Sequence, residues 1–341
     1  MANDLTRGPI FVVGPSRSGT SMVREMLNRN DAVWITRETH YFDDLRQRRA
    51  GRDEIEAYFA RIGTAAYGAS TDGADRQRES LRLRVAATAL GGTPDAYFES
   101  FCRLRAQDQG RPNWGEKTPR HVMQVATMLE LYPDAKVVCL VRDPRAVVAS
   151  YRDWTRRAAL SPDRDSVFAA DRSRARSSYG LLLSSLMCAA SLRAGTRALR
   201  EFGPDRVRLL RFEDLVHAPR ETLVDLCDWL GLPFAEAMID VPLVQSSYDG
   251  AVRQGVSTEP VNRWRTKLSK QEIAVVELAC SRVMHELAYD RVSEGHAWRA
   301  VVTAAVSLPG DVVRAARVNR TRISKPISYA WRRLSLSLGS R

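Results

Sequence analysis

Apolar residues fall along the chain in two rhythms. Short runs at Pro9–Val13, Val33–Ile35, Lys136–Val141 and Arg206–Arg211 predict strands, the clearest being the near-continuous 136–141 segment, of the kind buried on both faces. Between them the spacing turns helical. A helix is predicted over 19–29, with Met22, Val23, Met26 and Leu27 on one face. Others are predicted over 119–131, 144–154, 181–202, 219–230 and 271–287, with Pro144 in a first turn and Gly231 and Pro233 as a stop signal. Strands interleaved with helices define an α/β class, a central parallel sheet flanked by helices on both faces. Residues 41–110 mix helical patterns with polar loops, and 63–84, rich in Ala, Gly, Ser and charge, reads as a surface excursion. Residues 161–178 read as a polar connection. Composition turns basic near 293, which divides a main domain (1–293) from a C-terminal extension (294–341).

Composition adds three constraints. With 341 residues, 44% hydrophobic and 27% charged, the chain can bury a large core. The formal charge is +12, which attracts anions without naming one. Nine Lys or Arg against two acids give the extension +7, so the main domain carries only +5. Five scattered cysteines, with no Cys-x-x-Cys pair and no His at ligand spacing, argue against a metal site and for reduced thiols in a cytoplasmic setting. The first eight residues have no secretory apolar region, and no stretch of 18 uncharged apolar residues suggests a transmembrane helix.

The first strand runs into Gly14-Pro15-Ser16-Arg17-Ser18-Gly19-Thr20-Ser21, which opens a helix. Backbone N–H groups converge in such a turn, and the helix dipole favours an anion. It differs from the nucleoside-triphosphate loop G-x-x-x-x-G-K-[ST] at one place. Thr20 stands where the lysine belongs, and the cation has moved inside the loop as Arg17. A kinase or NTPase also needs a carboxylate-held Mg²⁺ near the end of a later strand. Here the 136–141 strand runs into Arg142, which repels a metal and attracts a second phosphate; Asp143 comes only one residue later. The two departures point to a metal-free site for a nucleotide with two separate phosphate ends. A P-loop kinase or NTPase, and a non-catalytic nucleotide-binding protein, stay open on this evidence.

The motifs PSRSGTS (15–21) and CLVRDPRAVVASY (139–151) resemble those of the sulfotransferases that use 3′-phosphoadenosine 5′-phosphosulfate (PAPS), in the group spanning bacterial and Golgi-type enzymes. The resemblance covers roughly residues 8–290. It implies the P-loop-like sulfotransferase fold and sulfuryl transfer from PAPS to an acceptor hydroxyl. It places Pro15, Ser16, Arg17, Ser18, Gly19, Thr20 and Ser21 around the 5′-phosphosulfate, and Arg142 and Ser150 on the 3′-phosphate. The segment RLLRFEDL (208–215) resembles the family's R-Y-E-D-L stretch, with Phe212 in place of Tyr. Arg253, Ser257 and Arg263 stand where the family sets basic and small polar residues over the nucleotide.

For the base, Glu38 follows the apolar run at 33–35. The segment Glu38-Thr39-His40-Tyr41-Phe42-Asp43 resembles the Glu-x-His-Phe-Phe-Asp stretch of heparan-type enzymes, in which the Glu is the base, with Tyr41 replacing the first Phe. His40 is the rival base, or a residue that orients Glu38 or contacts the acceptor. Lys117, 25 residues before Arg142, is the candidate for the bridging oxygen. Pro119 occupies the position where the cytosolic branch keeps its His base. Glu116 is expected to pair with Arg17 or Arg120.

The extension reads as two basic amphipathic helices split near Pro309, with Trp298, Val302 and Val306 among its apolar groups. Such a pattern suits an anionic membrane surface, a partner, packing on the domain, or a disordered tail. It contains no nucleic-acid reader module. The acceptor is expected to be a glycan, lipid or small metabolite, with acceptor-side loops in 41–110 and 155–180.

Overall fold

The computed structural model describes residues 8–47, 49–67, 73–157, 179–241, 255–293 and 298–319; Arg253 and the 161–178 connection lie outside them. Five strands, β1 (Ile10–Val13), β2 (Val33–Thr36), β3 (Asn113–Lys117), β4 (Lys136–Val141) and β5 (Val207–Arg211), form one sheet of order β2-β3-β1-β4-β5. Every pairing is parallel. The period of two in strands explains why the runs are apolar throughout. Ile10, Val12, Val138 and Leu140 enter the core on one face, with helix α1 (Thr20–Asn28). Phe11, Val13, Val137 and Cys139 enter the core on the other.

The order places β1 between β3 and β4, so the loops leaving three successive strands open at one edge. In open α/β sheets the crevice at the carboxyl ends, where strand order reverses, is where ligands bind. The chain brings the 14–21 loop, the residues after Lys117 and Arg142 together there.

The central strand β3 was not foreseen. Its sequence, Asn-Trp-Gly-Glu-Lys, has neither an apolar run nor alternation. Gly115 shows why a glycine sits inside it. A Cβ there would lie 2.2 Å from the Ile10 carbonyl oxygen and 2.4 Å from Ile35 Cδ1. Only the missing side chain lets β3 fit between its neighbours.

The described residues of the 63–84 stretch are helical and mostly exposed, as a surface excursion should be, and belong to α2 (Arg52–Tyr67) and α3 (Gly73–Ala89), which pack with α4 (Pro94–Asp108). Other segments also depart from expectation. Residues 119–131 divide into a 3₁₀ turn (Pro119–Gln124) and α5 (Val125–Leu131). The helices α6 (Pro144–Arg157), α7 (Leu181–Phe202), α8 (Phe212–His217) and α9 (Pro219–Leu230) follow. Residues 271–287 form α10 (Lys270–Ala279) and α11 (Ser281–Glu286), parted at Cys280.

The extension does not split at Pro309. Residues Trp298–Asn319 form one helix, α12, that continues through the proline. It packs against α7 and α10. Asp311 is 9% exposed and sits against the start of α7, and Arg314 Nη2 donates to the Tyr179 carbonyl at 3.0 Å. Among the described residues no helix is long and apolar enough to cross a membrane.

Candidate active site

The phosphate loop is a tight turn held from within. Ser18 donates twice to the Pro15 carbonyl, from its amide at 3.2 Å and its hydroxyl at 2.7 Å. The Ser18 hydroxyl is therefore turned inward, whereas Ser16 and Ser21 are exposed. Arg17 has φ of +72°, the left-handed region that non-glycine residues rarely adopt. Gly19 (φ +105°) precedes α1 and meets Phe212: a Cβ there would lie 2.6 Å from the ring. The Gly14 amide donates to the Pro119 carbonyl at 3.0 Å, which ties the loop to the turn after β3.

Arg142 joins this loop to two further elements. Its Nη1 donates to the Arg17 carbonyl and its Nη2 to the Pro260 carbonyl, both at 2.9 Å. Its guanidinium lies 4.1 Å from the centre of the Phe212 ring, a cation–π contact that needs no hydroxyl. Arg17 Nε reaches Ser150 Oγ on α6 at 3.4 Å. The two arginine-bearing turns are thus on one side of the molecule and in contact. Burial first, then Arg142, pushes the Arg17 guanidinium down to about 10. A cation held beside another cation is a device for gripping anions.

Asp143, the carboxylate nearest to where an NTPase would hold its metal, is committed elsewhere. Arg145 pairs with it at 2.7 Å and with Glu277 at 2.6 Å. Ser257 Oγ accepts from the Glu259 amide at 3.2 Å, and Arg263 faces Asp153 at 3.9 Å.

The second half of the site grows from β2 and β3. Lys117 ends β3, 4% exposed, and its Nζ donates to Glu38 Oε1 at 2.7 Å. Glu38 Oε2 lies 3.4 Å from His40 Nε2, and His40 Nδ1 lies 3.2 Å from Asp43 Oδ1. The turn that places them, Tyr41–Leu45, is π-helical, a form frequent at functional sites. Tyr41 is seated by stacking on Phe98 at 4.9 Å, and its hydroxyl donates to Asp95 at 2.7 Å. Partial burial works against the Glu38 charge, but Lys117 and then His40 outweigh it and hold the carboxyl well below the usual range. The Glu38 side chain stays 41% exposed, open to an incoming group.

Glu116 pairs with neither Arg17 nor Arg120. Fully buried, it takes His121 Nδ1 at 3.0 Å on one oxygen. The other accepts from the Thr39 amide and hydroxyl, each at 3.0 Å, and from the Thr118 hydroxyl. Arg120 instead faces Asp43 at 3.5 Å. A buried carboxylate needs cations and donors on both oxygens, and β3 offers those from the 39–41 backbone and the 3₁₀ turn. His121 and Asp43 carry no assignment from the sequence. The available signals were a His five positions after Glu116, across Pro119, and an Asp three positions after His40.

The fold and these clusters define a class: a parallel α/β protein with two arginine-bearing turns in contact at the carboxyl edge of its sheet, beside a buried lysine paired with an exposed carboxylate. Residues 9–236 match the sulfotransferase family profile, and the chain belongs to that family. Relatives agree: it is 24% identical over 274 residues to the protein-tyrosine sulfotransferase of Drosophila melanogaster, covering 75% of this chain and 46% of that one. It is 29% identical over 192 residues to carbohydrate sulfotransferase 2 of Mus musculus, covering 47% and 36%. The chain thus spans less than half the length of these relatives. The sulfotransferase domain from the curacin biosynthetic pathway shares the fold, with a TM-score of 0.52 at 19% identity, covering 84% of this chain and 99% of that domain.

Proposed function

We propose that this chain transfers a sulfuryl group from PAPS to the hydroxyl of an acceptor, a glycan or glycolipid in the first instance. The observation that carries the reading is the junction of Arg17, Arg142 and Ser150, two cationic turns meeting at the carboxyl edge of the sheet. The residues fit a ligand with two anionic ends. The 15–21 loop and Arg17 would hold the phosphosulfate, Arg142 and Ser150 the 3′-phosphate, and Phe212 the floor between them. Ser257 would contact the nucleotide, and the family resemblance assigns Arg253 to it as well.

PAPS supplies an activated sulfuryl group whose leaving group is a stable phosphate. Glu38 takes the acceptor's hydroxyl proton as the acceptor oxygen bonds to sulfur. Lys117 and Arg17 neutralise the electron pair left on the phosphate oxygen when the old sulfur–oxygen bond breaks. His40 holds Glu38 in place. The acceptor class is drawn from the carbohydrate sulfotransferases among the relatives, and five buried thiols support a reducing, cytoplasmic compartment.

The test is calorimetric titration with adenosine 3′,5′-bisphosphate in EDTA, followed by sulfur-radiolabelled PAPS with a panel of glycans and glycolipids. Binding without a divalent ion and label on a hydroxyl acceptor are expected. Indifference to the bisphosphate would end the reading.

A further inference from the structure

Behind Glu38 the structure builds a chain of alternating charge that ends in the protein interior. We propose that His121 is a positioning residue: clamped between Glu116 and Asp43, it fixes Asp43 against His40 and so sets how His40 faces Glu38. What Glu38 and His40 do for the reaction rests on the sulfuryl-transfer reading; the clamp does not.

His121 and Glu116 are both fully buried, and the Phe42 ring stands edge-on to the imidazole at 5.2 Å. Glu116 belongs to a central strand, and its oxygens are saturated by the Thr39, Thr118 and His121 donors already described, so it cannot turn. From this fixed point His121 Nδ1 takes Glu116 at 3.0 Å, and Nε2 faces Asp43 Oδ1 at 3.4 Å. The same Asp43 oxygen faces His40 Nδ1 at 3.2 Å. One carboxylate oxygen thus lies between two imidazoles, and the second imidazole points its Nε2 at Glu38.

The groups facing His121 are Glu116 from β3, Asp43 with His40 beyond it from the 40–45 turn, and Arg120 from its own turn. Cys102 of α4 lies behind Glu116, which raises that thiol together with burial. Burial favours the neutral ring, but Glu116 and Asp43 outweigh it and push His121 up to about 9. A charged ring can donate to both carboxylates, Nδ1 to Glu116 and Nε2 to Asp43. In the structure the Phe42 amide donates to Nε2 at 3.2 Å, the arrangement of a neutral ring protonated on Nδ1, while Asp43 Oδ1 stands 3.4 Å from the same nitrogen, placed to accept from it once the ring is charged. Those two uses of Nε2 are exclusive. Deprotonation of His121 therefore releases Asp43, and His40 loses its anchor.

The experiment is ¹⁵N imidazole NMR of the wild-type chain across roughly pH 6–10, a range that spans the midpoint of about 9. His40 ring nitrogens are expected to shift with the same midpoint as His121. A His40 signal that stays flat while His121 titrates, or a His121 that is neutral throughout, would overturn the proposal. Variants give a second reading. His121→Phe is expected to lower kcat at least tenfold, with KM for PAPS and affinity for the bisphosphate within about twofold of wild type. His121→Gln, which can still donate to Asp43, is expected to recover part of kcat. Unchanged kcat in both variants would overturn the role. Should neither variant fold, the wild-type titration decides alone. A wild-type chain that neither binds the bisphosphate nor transfers sulfate sinks the enzyme reading, yet the NMR outcome still decides the clamp.

Discussion

Arg142 shows how much one side chain can organise. It closes on two carbonyls, stacks on Phe212 and touches the loop that carries Arg17. A charge-assisted contact to a phosphate contributes about 2 kcal/mol, so Arg142→Ala should weaken bisphosphate binding by roughly 30-fold in calorimetry. Phe212 was legible as a family position that keeps an aromatic face without the hydroxyl. The structure sets that ring face against Gly19 and the Arg142 guanidinium, contacts that need no hydroxyl. Lys117 and Glu38 make a sharper case. Since Lys117 is the leading force holding Glu38 ionised, Lys117→Met should raise the Glu38 carboxyl. The acid limb of the pH–kcat profile would then move to higher pH. Glu38→Gln should leave bisphosphate binding within about twofold and lower kcat by roughly 10²–10⁴. A variant with full turnover would move the base to His40.

At the scale of elements, legibility followed composition. The apolar runs of β1 and β4 announced themselves, and α7 and α9 begin and end where the pattern, Gly231 and Pro233 placed them. Strand β3 did not, because its residues answer to buried polar pairing and to close approach rather than to β-propensity. Trp114 fills the core, Gly115 clears Ile10, and Glu116 and Lys117 are polar groups held in the interior by partners from other segments. Beyond Thr118 and His121 close by, the partners from the 38–39 segment lie 77 to 79 positions away, outside any local window. The same holds for the π-helical turn, whose seat is Phe98 and Asp95. Gly115→Ala tests the account. A methyl group pressed against a backbone oxygen of the adjoining strand forces the sheet apart, at a cost of about 1–3 kcal/mol. Urea unfolding should show a lower midpoint with an unchanged slope. A midpoint equal to wild type would mean that β3 has room the geometry denies.

For the whole molecule, the buried cluster links stability to pH in a direction that differs from the common surface case. His121 is raised from an unfolded value near 6.5 to about 9 in the folded chain. The folded state binds that proton more tightly, so the group's contribution is fully present below about pH 6.5 and fades as pH rises through about 9. A shift of that size corresponds to something on the order of 3 kcal/mol, a sizeable share of a typical domain's margin. Glu38 and Asp43 work at the other end. Both are depressed in the folded chain, so their contribution holds above the ordinary carboxylate range and is lost as pH falls through their folded values. Stability should therefore peak in mildly acidic to neutral solution and decline toward pH 9. In urea titrations at fixed ionic strength, wild type should lose stability between roughly pH 6.5 and 9. His121→Gln should be less stable at pH 6 yet nearly flat across that window, because its amide does not titrate. Parallel curves for the two proteins would place the alkaline loss in another group and remove His121 from the charge balance of the fold.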